Sequence, residues 1–163
     1  MSIKEGILAE LAHETKNTQR ILDNLSNEHW NYKPHQKSMT LGALASHVVE
    51  LHSWVALALE KNEFNFHTDY KPSTATSIED LKTILADSLK KNTDFVNAQA
   101  EEFWFGNWQF KAGDHVLSEL PKLAALRYII TNHLIHHRGQ LTVYMRMSDI
   151  PLPGIYGPSA DEK

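Results

Sequence analysis

Three histidines near the C-terminal end of the chain have the residue type and spacing of metal ligands. His133, His136 and His137 lie within one five-residue stretch. On an α-helix, His133 and His137 are one turn apart on the same face, so that both imidazoles can bind one ion. Such an ion generates a nucleophile at neutral pH by lowering the pKa of a bound water or thiol. The spacing is therefore compatible with metal chemistry on this helix but is weak evidence on its own.

A further histidine, His47, occurs within an apolar stripe earlier in the chain. The stripe consists of Leu41, Leu44, Val48, Leu51, Trp54, Val55 and Ala58. A buried imidazole needs a hydrogen-bond partner or a metal. Because the chain has 10 histidines, a single pair at helical spacing arises often by chance. For His47, His133 and His137 together, a shared metal site and three hydrogen-bonded core histidines are about equally supported.

Other side chains near these histidines are predicted to have lesser roles. His136 lies on a different stripe and is predicted to flank the ligands. Glu50 is a weak candidate for orienting His47 or acting as a base, although an exposed position is expected for it. Arg138 is expected to pair with a helix carboxylate, and Gly139 to allow a close helix approach. Six histidines are predicted to be solvated: His13, His29, His35, His52, His67 and His115.

Four apolar-periodic segments are predicted to form the helices that position these residues. They cover residues 3–25, 40–60, 77–100 and 121–144. Thr40 and Ser77 are typical helix N-caps, and Pro121 is compatible with the first turn of the last helix. Helices of about 20 residues are about 30 Å long. This pattern predicts an all-α four-helix bundle in one domain over residues 1–163.

Two segments interrupt the helical pattern. Residues 103–114 are rich in aromatic side chains and contain Gly106 and Gly113, so a short hairpin or an ordered loop is predicted before the last long helix. The aromatic cluster over residues 103–110 is more typical of a core or a subunit interface than of a substrate surface. Residues 150–158 are rich in proline and glycine, which predicts an extended tail over the bundle.

Composition excludes several classes of function. The net charge is −4, from 16 basic and 20 acidic side chains without a basic run, which argues against nucleic acid as a partner. The absence of cysteine excludes disulfides, thiolate ligands and a cysteine nucleophile. We find no signal-like N-terminus and no window of 18 uninterrupted apolar residues. A cytoplasmic protein that does not span a membrane is therefore expected.

Three motifs together resemble the DinB-like superfamily, the DinB/YfiT group of metal-dependent enzymes that is unrelated to the DNA polymerase of the same name. They are Leu-Gly-Ala-Leu-Ala-Ser-His ending at His47, the motif His133-x-x-x-His137-Arg-Gly-Gln, and a tail with Ile150-Pro151 and Ile155-Tyr-Gly after Arg146. With their order and spacing, the three motifs extend the resemblance over residues 5–158. The usual family tail has a glycine before the proline, where this chain has Ser-Asp-Ile, so the bend there is left open.

The resemblance implies a four-helix bundle, often dimeric, with a divalent metal bound by three histidines at one end. Carried onto this chain, the ligands are His47, His133 and His137. Similar proteins are described as metal-dependent hydrolases or as transferases that use a low-molecular-weight thiol, and many have no known activity. Three imidazoles leave coordination positions open, which is typical of catalytic sites. Nitrogen-only ligation suits Zn, Ni, Co, Fe or Mn and does not choose among them. We expect Zn or Ni.

Our prediction is a homodimeric metal-dependent hydrolase that activates water against a small-molecule substrate. The first alternative is a metal-dependent S-transferase that activates an external low-molecular-weight thiol. The second is a non-catalytic metal-binding or metal-sensing bundle. A dimeric helical scaffold with packed histidines is the third. The ligand set alone does not separate these alternatives, because water and thiol are activated by the same chemistry.

Overall fold

The computed structural model describes residues 2–162, which form four long helices and a small sheet. The first three helices are α1 (Ile3–Asn24), α2 (Leu41–Leu59) and α3 (Ile78–Ala98). The fourth long helix consists of α4 (Lys122–Ala125), a π-helical turn (Leu126–Thr131) and α5 (Asn132–Met147) in direct succession. Short 3₁₀ turns occur at Asn27–His29 and Glu101–Phe105. The four helices confirm the bundle prediction.

The all-α prediction is wrong, because three strands accompany the helices. They are β1 (Glu63–Asn65), β2 (Asn107–Ala112) and β3 (His115–Pro121), in the order β1-β2-β3. Strand β1 pairs parallel with β2, and β2 pairs antiparallel with β3. The predicted hairpin is therefore confirmed but longer than expected. Pro121 ends β3, and the last helix begins at Lys122 rather than at this proline.

Local hydrogen bonds explain where the helices begin. The side chains of Thr40 and Ser77 accept from the amides of Ala43 and Asp80, which confirms both predicted N-caps. Ser2 and Glu5 form a capping box at the start of α1. The ends of α1, α2 and α3 agree with the predicted bounds within two residues.

The aromatic segment contributes to the core, as predicted. Trp104 and Trp108 are buried, and the indole Nε1 of Trp108 donates to the carbonyl of Ala58 at 2.7 Å. That bond satisfies the polar atom of a buried ring and attaches the hairpin to the C-terminal end of α2. Helix α2 has the length and mean hydropathy (1.2) of a membrane span, but 61% of that window is buried inside the protein. This burial is typical of a core helix.

The tail is extended over the bundle surface, as predicted. Asp149 has a φ of 55°, so an aspartate occupies the left-handed position that ends the last helix. The amide of Ile150 then donates to the carbonyl of Met145 at 3.0 Å. Farther along, Asn24 of α1 donates to the carbonyl of Pro151 at 2.9 Å. The bend that the resemblance left open is thus formed without glycine.

A buried polar network crosses the bundle between α1, α2 and α5. Arg138 is 2% exposed and donates to the carboxylate of Glu14 and to the hydroxyl of Tyr156, the latter at 2.5 Å. Its predicted pairing with a helix carboxylate is confirmed, although the pair is buried. The hydroxyl of Tyr156 donates to the same carboxylate at 2.8 Å. The network therefore attaches the tail to two helices.

The prediction that His52 is solvated is wrong. The residue is 3% exposed, and its Nε2 lies 2.9 Å from Oγ1 of Thr18. Burial lowers the pKa of His52 to about 3, and the positive charge of Arg138 acts in the same direction. Because α2 is apolar around most of its circumference, the periodicity did not show that this face meets α1. His13, His35, His67 and His115 are exposed as predicted, and His29 is partly exposed.

We expect the free energy of unfolding to decrease as the pH falls from about 6.5 towards about 3. In this window unfolded His52 is protonated while the folded ring is neutral, so the unfolded state binds more protons. This group then removes up to about 1.4 kcal/mol per pH unit. Urea unfolding of chelator-treated protein at several pH values should show a shallower slope for His52→Gln. His115→Gln, at an exposed position, serves as the control, and equal slopes for all three proteins would contradict the assignment.

Candidate metal centre

The three predicted ligands meet between α2 and α5. Nε2 of His133 lies 3.4 Å from Nε2 of His47 and 2.8 Å from Nε2 of His137. The candidate ligand atoms of all three residues lie within 4.8 Å of one another, and each residue is partly buried. Within the described part of the chain, three imidazole nitrogens are thus close enough together to bind one divalent ion.

The π-helical turn precedes this group on the fourth helix. It ends at Thr131, two residues before His133. A π-helical turn changes the angular register of the residues that follow it, and such turns are frequent at functional sites. The predicted inward stripe is present, since Leu126, Ile130 and Leu141 are buried on either side of the histidines. The spacing of the apolar residues does not reveal the π-helical turn itself.

The second nitrogen of each ring is engaged with an acceptor, which is the arrangement that a metal ligand requires. Nδ1 of His47 lies 3.2 Å from Oε2 of Glu50, and Nδ1 of His137 lies 2.7 Å from Oε1 of Gln140. The ring of His133 is hydrogen-bonded to the backbone of Ile129. These acceptors place the proton on the outer nitrogen and leave the inner nitrogen free to bind a cation. The donor set therefore fits a divalent metal.

Electrostatics keeps two of the rings neutral. Burial lowers the pKa of His133 to about 4, and the neighbouring His137 and His47 add to the effect. Burial also lowers the pKa of His137, although its hydrogen bond to Gln140 acts in the opposite direction. Neutral imidazole is the form that binds metal, so these ligands need not lose a proton at pH 7.

Glu50 is not the exposed residue that was expected. Its side chain is 12% exposed, and Oε2 accepts from the hydroxyl of Tyr70 at 3.1 Å, while Oε1 accepts from the amide of Ser73. Burial raises the pKa of Glu50, but the hydrogen bonds with His47, Ser73 and Tyr70 outweigh this and lower it below the usual value. The carboxylate is therefore ionised, and it orients His47.

Two other predictions near the site have opposite outcomes. His136 is exposed and its ring lies 4.9 Å from that of His137, outside the ligand group, which confirms its flanking position. Gly139 is also exposed, and a Cβ built there would meet no atom within 4 Å. Its predicted role in a close helix approach is therefore wrong within the described chain.

Sequence reasoning missed Gln140, Tyr70 and Ser73. A signal for Gln140 was present, since His137 and Gln140 repeat the three-residue spacing of His47 and Glu50. No local signal marks Tyr70 or Ser73, because they reach Glu50 from the loop between β1 and α3. Trp54 adds a buried wall, with its ring centroid 6.5 Å from that of His133.

The fold and this histidine group define a helical protein with a candidate metal-binding centre. The family model of the DinB family matches residues 1–162, and the chain belongs to this family. It is also 28% identical over 153 residues to YrdA, an uncharacterized protein of Bacillus subtilis (strain 168), a match that covers 91% of this chain and 85% of that protein.

Solved structures of two relatives have the same fold. A DinB-like protein from Bacillus cereus ATCC 10987 is 29% identical with a TM-score of 0.67, and the match covers 93% of this chain and 97% of that one. The DinB-like protein YjoA from Bacillus subtilis is 21% identical with a TM-score of 0.73, over 94% and 99% of the two chains. The names of these three proteins state no activity. The function of this chain is therefore inferred from the geometry of its histidine site.

Proposed function

We propose that this protein is a metal-dependent hydrolase of a small molecule, with His47, His133 and His137 as the ligands of one divalent ion. The main support is that three candidate ligand atoms lie within 4.8 Å of one another while each ring is also engaged with an outer acceptor. Three protein ligands leave positions for a water and a substrate. Bound there, the ion would supply Lewis acidity and lower the pKa of a coordinated water.

The residues around the ligands orient them and exclude solvent. Glu50 and Gln140 hold the rings of His47 and His137 by their Nδ1 atoms. Both oxygens of Glu50 already accept hydrogen bonds, so this carboxylate positions a ligand instead of serving as a free base. Trp54 closes the inner side of the site. Activation of the nucleophile thus depends on the ion, for which Zn or Ni is favoured and Mn, Fe or Co is compatible.

A second candidate is a metal-dependent S-transferase. Because both oxygens of Glu50 already accept hydrogen bonds, activation would depend on the metal, which suits a thiol nucleophile as well as water, since coordination acidifies both. Since the chain has no cysteine, the thiol would come from a low-molecular-weight cofactor. A non-catalytic metal-binding or sensing role is the third candidate, and the engagement of both Glu50 oxygens favours it.

We expect purified protein to contain about one equivalent of a transition metal per chain, measured by elemental analysis without chelator. Ester, amide and lactone substrates should then be hydrolysed in a reaction that stops when the metal is removed and resumes when it is restored. Turnover only with an added thiol would replace the hydrolase by the S-transferase. Stoichiometric metal and a chelator-sensitive melting temperature without turnover would favour the binding protein.

We also propose a cytoplasmic homodimer. Gly139, Val143 and Met147 lie at four-residue spacing on one face of α5, and all three are exposed. A stripe of this kind, with a glycine that meets no neighbour in its own chain, is compatible with packing against a second copy. The family resemblance supports the same proposal.

A further inference from the structure

A cavity of about 350 Å³ lies beside the metal centre, with His47 and Glu50 in its wall. One side is the face of α2 that carries Ala43, one turn before His47. Trp30 forms the second side, and the loop residues Tyr70 and Ser73 form the third. This volume is at the lower end of the range for small-molecule sites. A ligand in the cavity would lie against His47, one of the three candidate metal ligands.

The indole of Trp30 lies in this wall because residue 42 is a glycine. A Cβ at Gly42 would come within 2.4 Å of the Trp30 ring, which is closer than packed atoms approach. The amide of Gly42 also donates to the carbonyl of Trp30 at 2.9 Å. The aromatic wall is thus fixed against the first turn of α2.

That first turn has no free donor for an anion. A helix N-terminus binds anions through amides that lack a partner. Here the amides of residues 41–44 donate, in order, to the Tyr32 carbonyl, the Trp30 carbonyl, the Thr40 hydroxyl and the Thr40 carbonyl. All four donors are therefore in use.

The charged groups of the cavity are also unsuited to an anion. Among the described residues, its walls contain no lysine or arginine, and Glu50 is their one carboxylate. Lys71 belongs to the same loop but lines neighbouring cavities, not this one. Tyr70 stays protonated, because burial and the adjacent Glu50 both raise its pKa. Apart from the His47 imidazole and the Trp30 indole, the polar side chains of the wall are hydroxyls and one carboxylate, which favours neutral or cationic groups.

The charge of a bound ion does not reverse this preference. A divalent ion held by His47, His133 and His137 would keep its two positive charges, of which the Glu50 carboxylate would offset one through its contact with His47. The remaining charge would be available to an anionic nucleophile. We propose that this cavity binds the substrate, and that it selects uncharged or amine-bearing molecules with an aromatic or aliphatic group over carboxylates and phosphates. The inference depends on the proposed function, since it assigns the substrate class of that same site.

Aromatic thiols with different para groups can test the inference on cobalt-loaded protein. Suitable probes are 4-(hydroxymethyl)benzenethiol, 4-(aminomethyl)benzenethiol and 4-mercaptobenzoate. Their para groups are neutral, cationic and anionic, respectively. None of these groups can reach the metal that binds the sulfur of the same molecule. Their sulfur–cobalt charge-transfer absorption gives a dissociation constant for each, expressed for the thiolate form. We expect the neutral and cationic probes to bind about tenfold more tightly than the anionic probe, a ratio of the size that one partly screened charge produces.

A charge introduced into the cavity wall should change this order. Ala43 is exposed on α2 and lines the cavity, so Ala43→Lys adds a cation without disturbing the core. It should strengthen binding of 4-mercaptobenzoate about tenfold. Ala43→Gln adds an uncharged polar side chain one atom shorter than lysine, and Ala86→Lys adds the same charge on an exposed position of α3. Neither control should alter the ratio between probes.

The outcomes separate this inference from the proposed function. Absence of cobalt by elemental analysis would contradict the metal site itself. If cobalt binds and 4-mercaptobenzoate binds as tightly as the neutral probe, the metal site stands and the selectivity is wrong. If cobalt binds and no probe coordinates, or Ala43→Lys has no effect, the cavity is not the ligand site.

Discussion

His137→Ala should abolish stoichiometric metal binding while the bundle still folds. The substitution leaves two imidazoles, and we expect the metal affinity to fall by more than the roughly 10–100-fold that loss of an outer partner causes. Folding should survive, because His137 is partly exposed and its main hydrogen bond is to Gln140 on the same helix. Elemental analysis measures the metal content, and circular dichroism measures the helix content.

The melting temperature with and without chelator provides a second measurement. A ligand present at about 1,000 times its dissociation constant stabilises the folded state by about 4 kcal/mol, or very roughly 10 °C for a chain of this size. Wild-type protein should lose this increment with chelator, and His137→Ala should lack it from the start. His136→Ala is the matched control, since this exposed neighbour lies outside the ligand group. Retained stoichiometric metal in His137→Ala would rule out the ligand assignment.

The long helices were predictable because their signals are local. Thr40 and Ser77 accept hydrogen bonds from amides three residues ahead, so residue type and position suffice to locate these helix starts. Strand β1 has three residues, Glu63–Asn65, too few for an alternating pattern, and it exists because it pairs with a segment more than 40 residues away. The π-helical turn likewise depends on packing that periodicity does not encode.

The candidate site likewise contains some residues that the sequence identified and others that it did not. The spacing of His133 and His137 identified that pair, and the apolar stripe of α2 identified His47. The spacing from His47 made Glu50 a candidate for orienting that ring, but the burial of Glu50 was not predictable, because two of its partners, Tyr70 and Ser73, belong to a distant loop. His52 was assigned to solvent because one apolar stripe was taken as the only buried face of α2. That helix is buried on several faces, so the polar residue between stripes also lies in the interior.

The other large effect is expected for the buried ion pair of Arg138 and Glu14. Arg138→Leu leaves the carboxylate of Glu14 in the interior without its cation, and such broken pairs typically cost about 3–5 kcal/mol. The exposed fractions of the two side chains are 2% and 8%, so water cannot replace the lost partner. We expect the melting temperature to fall by roughly 10 °C, measured by calorimetry on metal-free protein. Arg127→Leu is the control, because Arg127 pairs with Glu10 at the surface and should contribute less than about 1 kcal/mol.

A double variant separates the cost of an unpaired charge from the net contribution of the pair. Replacing both Glu14 and Arg138 by leucine removes both charges, and stability should recover most of the loss, since apolar replacements of buried pairs are often neutral or stabilising. The recovery should be incomplete, because the hydroxyls of Tyr156 and Thr18 lose partners in the same network. An Arg138→Leu variant as stable as Arg127→Leu would show that the pair does not form. A double variant less stable than either single variant would instead give the pair a large net contribution, as the connection between α1, α5 and the tail.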